Sequence, residues 1–138
     1  MDIGNAIAAV NWLAVFSATI VAFLIGSLWY SKKAFGQAWM LEIGLTDESI
    51  SQANMPMIFG GTFVLQFVAA TALALFMGSD SDWFIGLQAG LLIGIGWIAT
   101  AYGVTYFFEQ RSIRLYLINS GYYIVLFAVM GVIIGAWN

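Results

Sequence analysis

The amino-acid sequence predicts an all-α membrane protein, with four transmembrane helices in a bundle and a short cytoplasmic interfacial helix. Of the 138 residues, 62% are hydrophobic and 8% are charged, whereas an ordinary soluble domain has about 25% charged residues. The mean hydropathy is +0.94. The apolar residues also fall into four segments long enough to cross a bilayer, which takes about 20 residues. We therefore expect residues 1–138 to form a single transmembrane domain.

The four predicted spanning helices lie at about residues 11–30, 56–78, 83–108 and 113–137. The first contains no charge and lacks the positive stretch that precedes the core of a signal peptide, so we expect it to be retained. The third is longer than a hydrocarbon core of roughly 30 Å requires, so it should tilt or protrude. Short polar turns join the second, third and fourth segments, which makes consecutive helices antiparallel neighbours.

The charges are distributed unequally between the two sides of the predicted bundle. All four cations fall on one side: Lys32, Lys33, Arg111 and Arg114. The opposite side carries acidic residues: Asp2, Asp80 and Asp82. Because Lys and Arg near helix ends are retained in the cytoplasm, we expect both termini to lie outside the cytoplasm. The expected location is the bacterial cytoplasmic (inner) membrane.

The long connection at about residues 33–54 is predicted to be the interfacial segment. Phe35, Trp39 and Ile43 recur every four residues, which is typical of a short helix lying on a membrane surface. A loop with a few hydrophobic anchors is the alternative. Gly44 is expected to end this helix and Thr46 to cap a second small one.

Small residues recur at a spacing of four along three of the predicted helices. They are Ala14, Ala18, Ala22 and Gly26 in the first, Gly86, Gly90 and Gly94 in the third, and Gly131 and Gly135 in the fourth. Small residues let helix backbones approach closely in a membrane. The approaching surface is either a neighbouring helix of the same chain or another subunit, and the second alternative predicts a homo-oligomer or a larger membrane complex.

The residue types present argue against catalysis. The chain has no cysteine and no histidine, which removes the commonest general base and the commonest metal ligand. The spanning segments place no ionisable group at mid-depth, where a proton-coupled transporter normally needs one. We therefore predict no enzymatic activity, no cofactor and no bound metal. The net charge of −3 also argues against nucleic-acid binding.

Three amides are the candidate lining of a conduit: Gln66, Gln88 and Asn119. The simpler interpretation is that they form hydrogen bonds between helices, each worth about 0.6 kcal/mol on average. A polar path for a small solute or ion is the alternative, and it would require an oligomer because four helices leave little room for a channel.

Short motifs spread along the chain resemble one known family. They are the NWLAV run at 11–15, Gly26 with LWYS at 28–31, Phe35-Gly36 with AWM at 38–40, Gly94 with Gly96, Ala99-Thr100, Tyr106-Phe107 before Glu109 with Arg111-Ser112, LIN at 117–119 with Gly121-Tyr122, and Met130-Gly131. This pattern resembles a family of small bacterial membrane proteins classified as a domain of unknown function. The resemblance implies four spanning helices and no established activity, substrate or catalytic residue.

The resembling motifs nominate a polar and aromatic cluster on the cytoplasmic side: Trp29, Tyr30, Trp39, Glu109, Arg111, Ser112, Asn119 and Tyr122. Our hypothesis is that the interfacial helix docks over the ends of the third and fourth helices. There Glu109 or Asn119 would hydrogen-bond Trp29, Trp39 or Tyr122.

The function expected from these observations is that of a non-enzymatic membrane subunit, either self-associating or accessory to another protein. Its partners would be membrane lipid and other subunits. The alternative is an oligomeric channel or transporter for a small solute or ion.

Overall fold

The computed structural model describes residues 2–138, in which all regular secondary structure is helical. Four helices are long and apolar enough to cross a membrane: Trp12–Trp29, Met55–Met77, Trp83–Glu109 and Ile113–Ala136. We refer to them as the first to fourth spanning helices. The predicted all-α fold with four spanning helices is confirmed, and the chain is a multi-pass membrane protein.

Each spanning helix begins where a polar side chain interrupts the apolar sequence. Asn11, Asn54, Asp82 and Ser112 are the N-cap residues, and each accepts a hydrogen bond from a backbone N–H of the first turn. These N–H groups have no partner within the helix, so the cap satisfies them. The starts observed at 12, 55, 83 and 113 therefore lie within one residue of the predicted ones.

The fourth spanning helix lies at the centre of the bundle. In its most apolar stretch, 44% of the residues are buried, against 28%, 22% and 28% for the first, second and third helices. It packs against all three other spanning helices, and its side chains of Leu126, Met130 and Ile134 are at most 1% exposed. The core is thus built around this one helix.

Glycines bring the third and fourth helices into backbone contact. A Cβ atom at Gly86 would overlap the carbonyl oxygen of Gly131, and one at Gly90 would overlap that of Phe127. At Gly94 a Cβ would lie 2.9 Å from the Cα of Ile124. The row of three glycines therefore packs against a neighbouring helix of the same chain, which is one of the two alternatives that its spacing left open.

The other small residues of the predicted packing set also face the protein. Ala14, Ala18 and Ala22 are at most 1% exposed. A Cβ atom at Gly135 would overlap the carbonyl oxygen of Asp82, and one at Gly26 would lie 2.7 Å from the hydroxyl of Tyr122.

The third spanning helix contains a π-helical turn at Gly94–Ala99, which the hydropathy pattern did not predict. Before this turn, Trp83–Ile93 buries four residues; after it, Thr100–Glu109 buries none. The hydroxyl of Tyr116 donates a 3.1 Å hydrogen bond to the carbonyl of Ala99. A π-turn interrupts the regular backbone hydrogen bonds of an α-helix and leaves carbonyl groups free to accept from other donors. The third helix diverges from the fourth after this turn.

The long connection contains two short helices, Gly36–Ile43 and Asp47–Ser51. Gly44 follows the first with a φ of +76°, and Thr46 caps the second through a capping box with Ser49. Both positions are as predicted. A further helix at Ile3–Ala8, capped by Asp2, was not predicted because it is too short to produce a hydropathy signal.

Side-chain hydrogen bonds tie the chain together at both ends of the bundle. Asn11 donates to the carbonyl of Trp137 (2.7 Å), and Asn138 donates to the carbonyl of Gly78 (3.0 Å). At the other end, which we call the cationic side after Lys32, Lys33, Arg111 and Arg114, the long connection meets the turn before the fourth helix.

Candidate functional site

Trp29 and Tyr30, at the end of the first spanning helix, turn toward the fourth. The indole Nε1 of Trp29 donates a 3.0 Å hydrogen bond to the backbone carbonyl of Ile118. Gly121 leaves room for this ring, since a Cβ there would lie 3.3 Å from Trp29 Cζ2. The Trp29 ring also packs against Phe35, with ring centroids 4.8 Å apart. The first helix is thereby attached to the fourth on the cationic side.

Asn119 joins three spanning helices through its side-chain amide. Its Oδ1 accepts a 2.7 Å hydrogen bond from the hydroxyl of Tyr30, and its Nδ2 donates one of 2.7 Å to the hydroxyl of Tyr106. An asparagine amide carries both an acceptor and donors, so one residue can serve both tyrosines. This bridge spans the gap that the diverging third helix leaves.

A second buried amide lies deeper in the bundle. Gln66 Nε2 donates a 2.7 Å hydrogen bond to the hydroxyl of Tyr122, which lies 3.5 Å from the carbonyl of Ala22. Gln66 and Tyr122 are 8% and 6% exposed. Within residues 2–138, Gln66 Oε1 has no hydrogen-bond partner. The absence of a side chain at Gly26 makes the space that this hydroxyl occupies.

All six tyrosines of the chain form one connected group on the cationic side, which we call the tyrosine cluster. The members are Tyr30, Tyr102, Tyr106, Tyr116, Tyr122 and Tyr123. Neighbouring ring centroids are 5.0 to 6.5 Å apart along the series 30–122–123–102–106–116. These separations are those of favourable edge-to-face and offset ring pairs. The cluster therefore fills the space between the first, third and fourth helices.

The long connection packs onto this cluster. The ring of Trp39 lies edge-on to Tyr30, with centroids 5.2 Å apart. The hydroxyl of Ser112 donates a 2.6 Å hydrogen bond to the carboxylate of Glu42. The helix Gly36–Ile43 is therefore held at the ends of the first and fourth spanning helices.

The structure brings together six of the eight nominated residues: Trp29, Tyr30, Trp39, Ser112, Asn119 and Tyr122. Glu109 and Arg111 are exposed and stand apart from this hydrogen-bond network. The hypothesised bonds also differ, since Asn119 pairs with Tyr30 and Tyr106, and Trp29 pairs with a backbone carbonyl. Glu109 forms no ion pair with Arg111 or Arg114; across residues 2–138, Lys32 and Asp47 (2.8 Å) are the one ion pair within 4 Å.

Several members of the site were not predicted from the sequence: Glu42, Tyr102, Tyr106, Tyr116 and Tyr123. The signal available was the confinement of every tyrosine to position 30 and the range 102–123. Tyr102 and Tyr106 also lie four residues apart, on one face of a helix. Their convergence on Tyr30 depends on contacts between segments that lie far apart along the chain.

The three amides considered as a conduit lining lie in different surroundings. Gln66 is buried and Asn119 is half-buried, each bonded to tyrosine hydroxyls, while Gln88 is exposed on the third helix. They share no hydrogen bond with one another.

A groove opens on the cationic side where the third and fourth helices diverge. Its volume is about 470 Å³. It is lined by Gly103, Tyr106, Phe107, Arg111, Ser112, Ile113 and Tyr116. We call it the helix 3–4 groove. Neither this groove nor a cavity of about 230 Å³ at the opposite end is lined by Gln66, Gln88 or Asn119.

The chemistry that this arrangement offers is hydrogen bonding and aromatic contact. The buried polar groups of the site are phenol hydroxyls and carboxamides, which are neutral at physiological pH. Residues 2–138 contain no group of three or more acidic side chains arranged to hold a metal ion. The hydrogen bonds of this site join the first, second and third spanning helices to the fourth.

Comparison with known proteins places the chain in one family. Residues 13–135 match the family model described as "Protein of unknown function (DUF1761)". No curated protein and no solved structure matches the chain. The match covers all four spanning helices almost completely, and it confirms the resemblance to an uncharacterised family. The chain belongs to the DUF1761 family.

Proposed function

We propose that this protein is a non-enzymatic membrane subunit that acts by associating with a second copy of itself. The surface that supports this is a stripe on the third spanning helix: Gln88, Leu92, Gly96, Thr100 and Val104. These residues are all exposed and follow one another at intervals of four. We call them the helix 3 stripe. Two of its members, Gly96 and Thr100, are small residues near the middle of the span.

The proposal rests mainly on the exposed side chain of Gln88. Its side chain is exposed, and it takes part in no side-chain hydrogen bond within residues 2–138. A carboxamide that faces hydrocarbon without a hydrogen-bond partner is unfavourable by several kcal/mol. This is the order of magnitude of the free energy of transferring an amide from water to cyclohexane. A glutamine can donate to and accept from an identical glutamine, so a second copy of the chain would satisfy it.

The small residues of the stripe support a close approach at its centre. A Cβ atom at Gly96 would meet only the end of the Leu92 side chain, at 3.7 Å. Thr100 is exposed, and its hydroxyl is satisfied by the carbonyls of Gly96 and Trp97. Helices in membranes associate through surfaces of this kind because small side chains let the backbones pack.

An oligomeric channel or transporter has less support. Gln66 and Asn119 are engaged with Tyr122, Tyr30 and Tyr106 inside the protomer. Opening a path through them would break the bonds that tie the first, second and third helices to the fourth.

The proposed location is the cytoplasmic membrane of a bacterium, with the cationic side in the cytoplasm and both termini outside it. The four cations on one side and none on the other support this orientation. On this orientation the tyrosine cluster and the helix Gly36–Ile43 lie at the inner leaflet.

Disulfide cross-linking tests self-association, since the natural chain contains no cysteine. Gly96→Cys and Thr100→Cys are placed on the helix 3 stripe. Leu65→Cys and Val68→Cys, 71% and 57% exposed on the second helix, are the matched controls. We expect a covalent dimer from the stripe variants in native membranes and none from the controls.

A Gln88→Leu substitution in the stripe variants gives the second arm of this test. We expect it to lower the yield of cross-linked dimer, because the amide pair is lost. Equal cross-linking from both helices, or a monomer in nanodiscs for every variant, would overturn the proposal. An adduct with a different protein at the stripe would overturn self-association in favour of an accessory role.

A further inference from the structure

The helix 3–4 groove combines aromatic and apolar side chains with polar residues at the membrane surface. Its walls are the rings of Tyr106, Phe107 and Tyr116 together with Ile113. It extends from the turn at Arg111 to Gly103, which lies six residues before Glu109. At about 1.5 Å per residue, this is a depth of about 9 Å from the headgroup level into the hydrocarbon.

One charged side chain lines the groove at the membrane surface, and a second of opposite sign is hydrogen-bonded to a residue of its lining. Arg111 lines the groove and is exposed. Among residues 2–138 it has no carboxylate oxygen within 4 Å of its guanidinium. The carboxylate of Glu42 accepts a 2.6 Å hydrogen bond from Ser112, which also lines the groove. A carboxylate has about four acceptor positions, so Glu42 retains capacity for a further donor.

This pair of charges distinguishes between classes of phospholipid. A guanidinium binds a phosphate group through paired, charge-assisted hydrogen bonds. A carboxylate nearby repels a headgroup that is only anionic but attracts a headgroup that also carries an ammonium ion. A primary ammonium donates hydrogen bonds to a carboxylate, whereas a quaternary ammonium has no N–H to donate.

We propose that the helix 3–4 groove binds a zwitterionic aminophospholipid. The phosphate pairs with Arg111, the primary ammonium donates to Glu42, and the first part of one acyl chain lies against Phe107 and Tyr116. The proposal is independent of self-association, since it uses the gap between two helices of one chain and none of the helix 3 stripe.

Two features of the structure place these groups where the headgroup needs them. Ser112 holds Glu42 beside the groove while it caps the fourth helix through the backbone N–H of Leu115. The π-turn at Gly94–Ala99 precedes the segment that diverges and so opens the groove.

Native mass spectrometry of the full chain in detergent tests the proposal with three defined lipids of identical acyl chains. They are phosphatidylethanolamine, phosphatidylglycerol and phosphatidylcholine. We expect one phosphatidylethanolamine molecule to be retained, with an affinity at least about tenfold above that for the other two lipids. A tenfold difference is what one well-placed hydrogen bond to a charged group supplies.

Two variants and two controls separate the contributions of the charges. Arg111→Gln should lower retention of phosphatidylethanolamine by about tenfold through loss of the phosphate contact. Glu42→Gln should abolish the preference for phosphatidylethanolamine over phosphatidylglycerol, because the amide can still accept from Ser112 but carries no charge. Lys33→Gln and Glu48→Gln alter exposed charges outside the groove lining and should leave retention unchanged.

Three results would overturn the proposal. Equal retention of the three lipids would mean ordinary boundary lipid. A preference for phosphatidylglycerol would mean a simple anion site at Arg111. Equal effects of the groove variants and the control variants would mean a general loss of surface charge. Melting temperatures in lipid-free detergent identify any variant that fails to fold. If Arg111→Gln fails to fold, Arg111→Lys is the conservative variant that replaces it.

Discussion

The amide of Gln66 donates a hydrogen bond of 2.7 Å to the hydroxyl of Tyr122, and this bond joins the second spanning helix to the fourth inside the core. The two helices share only a short stretch of contact, so the bond lies at a place where packing is limited. Gly26 on the first helix leaves the space for the tyrosine hydroxyl. Three helices therefore meet at one polar contact.

The Gln66–Tyr122 bond should appear as a coupling energy in a double-mutant cycle. We expect Gln66→Leu and Tyr122→Phe to be non-additive by about 0.6 kcal/mol, and by at most about 1.7 kcal/mol, as for other interhelical bonds in membranes. Reversible unfolding in mixed micelles measures this. Thr71→Val combined with Tyr122→Phe is the control, because Thr71 bonds within its own helix to Phe67. Additivity in both cycles would contradict the prediction.

Gly90→Ala should destabilise the protein strongly. The added methyl group would overlap the carbonyl oxygen of Phe127 and force the third and fourth helices apart. Overpacking of this kind costs about 1–3 kcal/mol. Gly60→Ala is the matched control, since nothing lies within 4 Å of a Cβ there, and it should be neutral or stabilising by up to about 1 kcal/mol. Thermal unfolding in detergent compares the two, and equal melting temperatures would refute the close helix contact.

Glu42→Ala should loosen the helix Gly36–Ile43 without unfolding the bundle. The substitution removes the acceptor for the Ser112 hydroxyl. A loss of about 1 kcal/mol in local stability corresponds to about fivefold faster amide exchange. Hydrogen–deuterium exchange should show this in residues 36–43 and leave the fourth spanning helix protected. Glu48→Ala, an exposed acid on the next helix, should leave exchange in residues 36–43 unchanged; an equal increase would show that Glu42 holds nothing in place.

Cysteine labelling should reveal the orientation in the membrane. Ser79→Cys lies on the side opposite to the cations, and Gln37→Cys lies on the cationic side; both positions are exposed and neither substitution alters a charge. On the positive-inside rule, a membrane-impermeant maleimide should label Ser79→Cys in intact cells. Gln37→Cys should react only after the cells are permeabilised. The reverse pattern would overturn the proposed orientation.

The sequence alone determined the number of spanning helices, their approximate limits and the caps that begin them. Apolar runs of more than 18 residues have few stable alternatives, because backbone polar groups in lipid must be satisfied within the segment. The sequence also predicted that Gly44 ends one short helix and that Thr46 caps the next. A left-handed residue at a helix C-terminus and a capping box at an N-terminus depend only on residues close in the chain.

Only the tertiary structure decided which surfaces meet. The spacing of Gly86, Gly90 and Gly94 predicted a close helix contact. It did not indicate that Gly131 and Phe127 provide that contact. Tyr30 and Asn119 are 89 residues apart, and no local pattern relates them. Glu109 and Arg111 were expected in the cluster because the resembling motifs contain them, yet both are exposed and take no part in its hydrogen bonds. Hydropathy reports depth along the membrane normal, whereas rotation about each helix axis and the divergence after the π-turn are set by packing between helices.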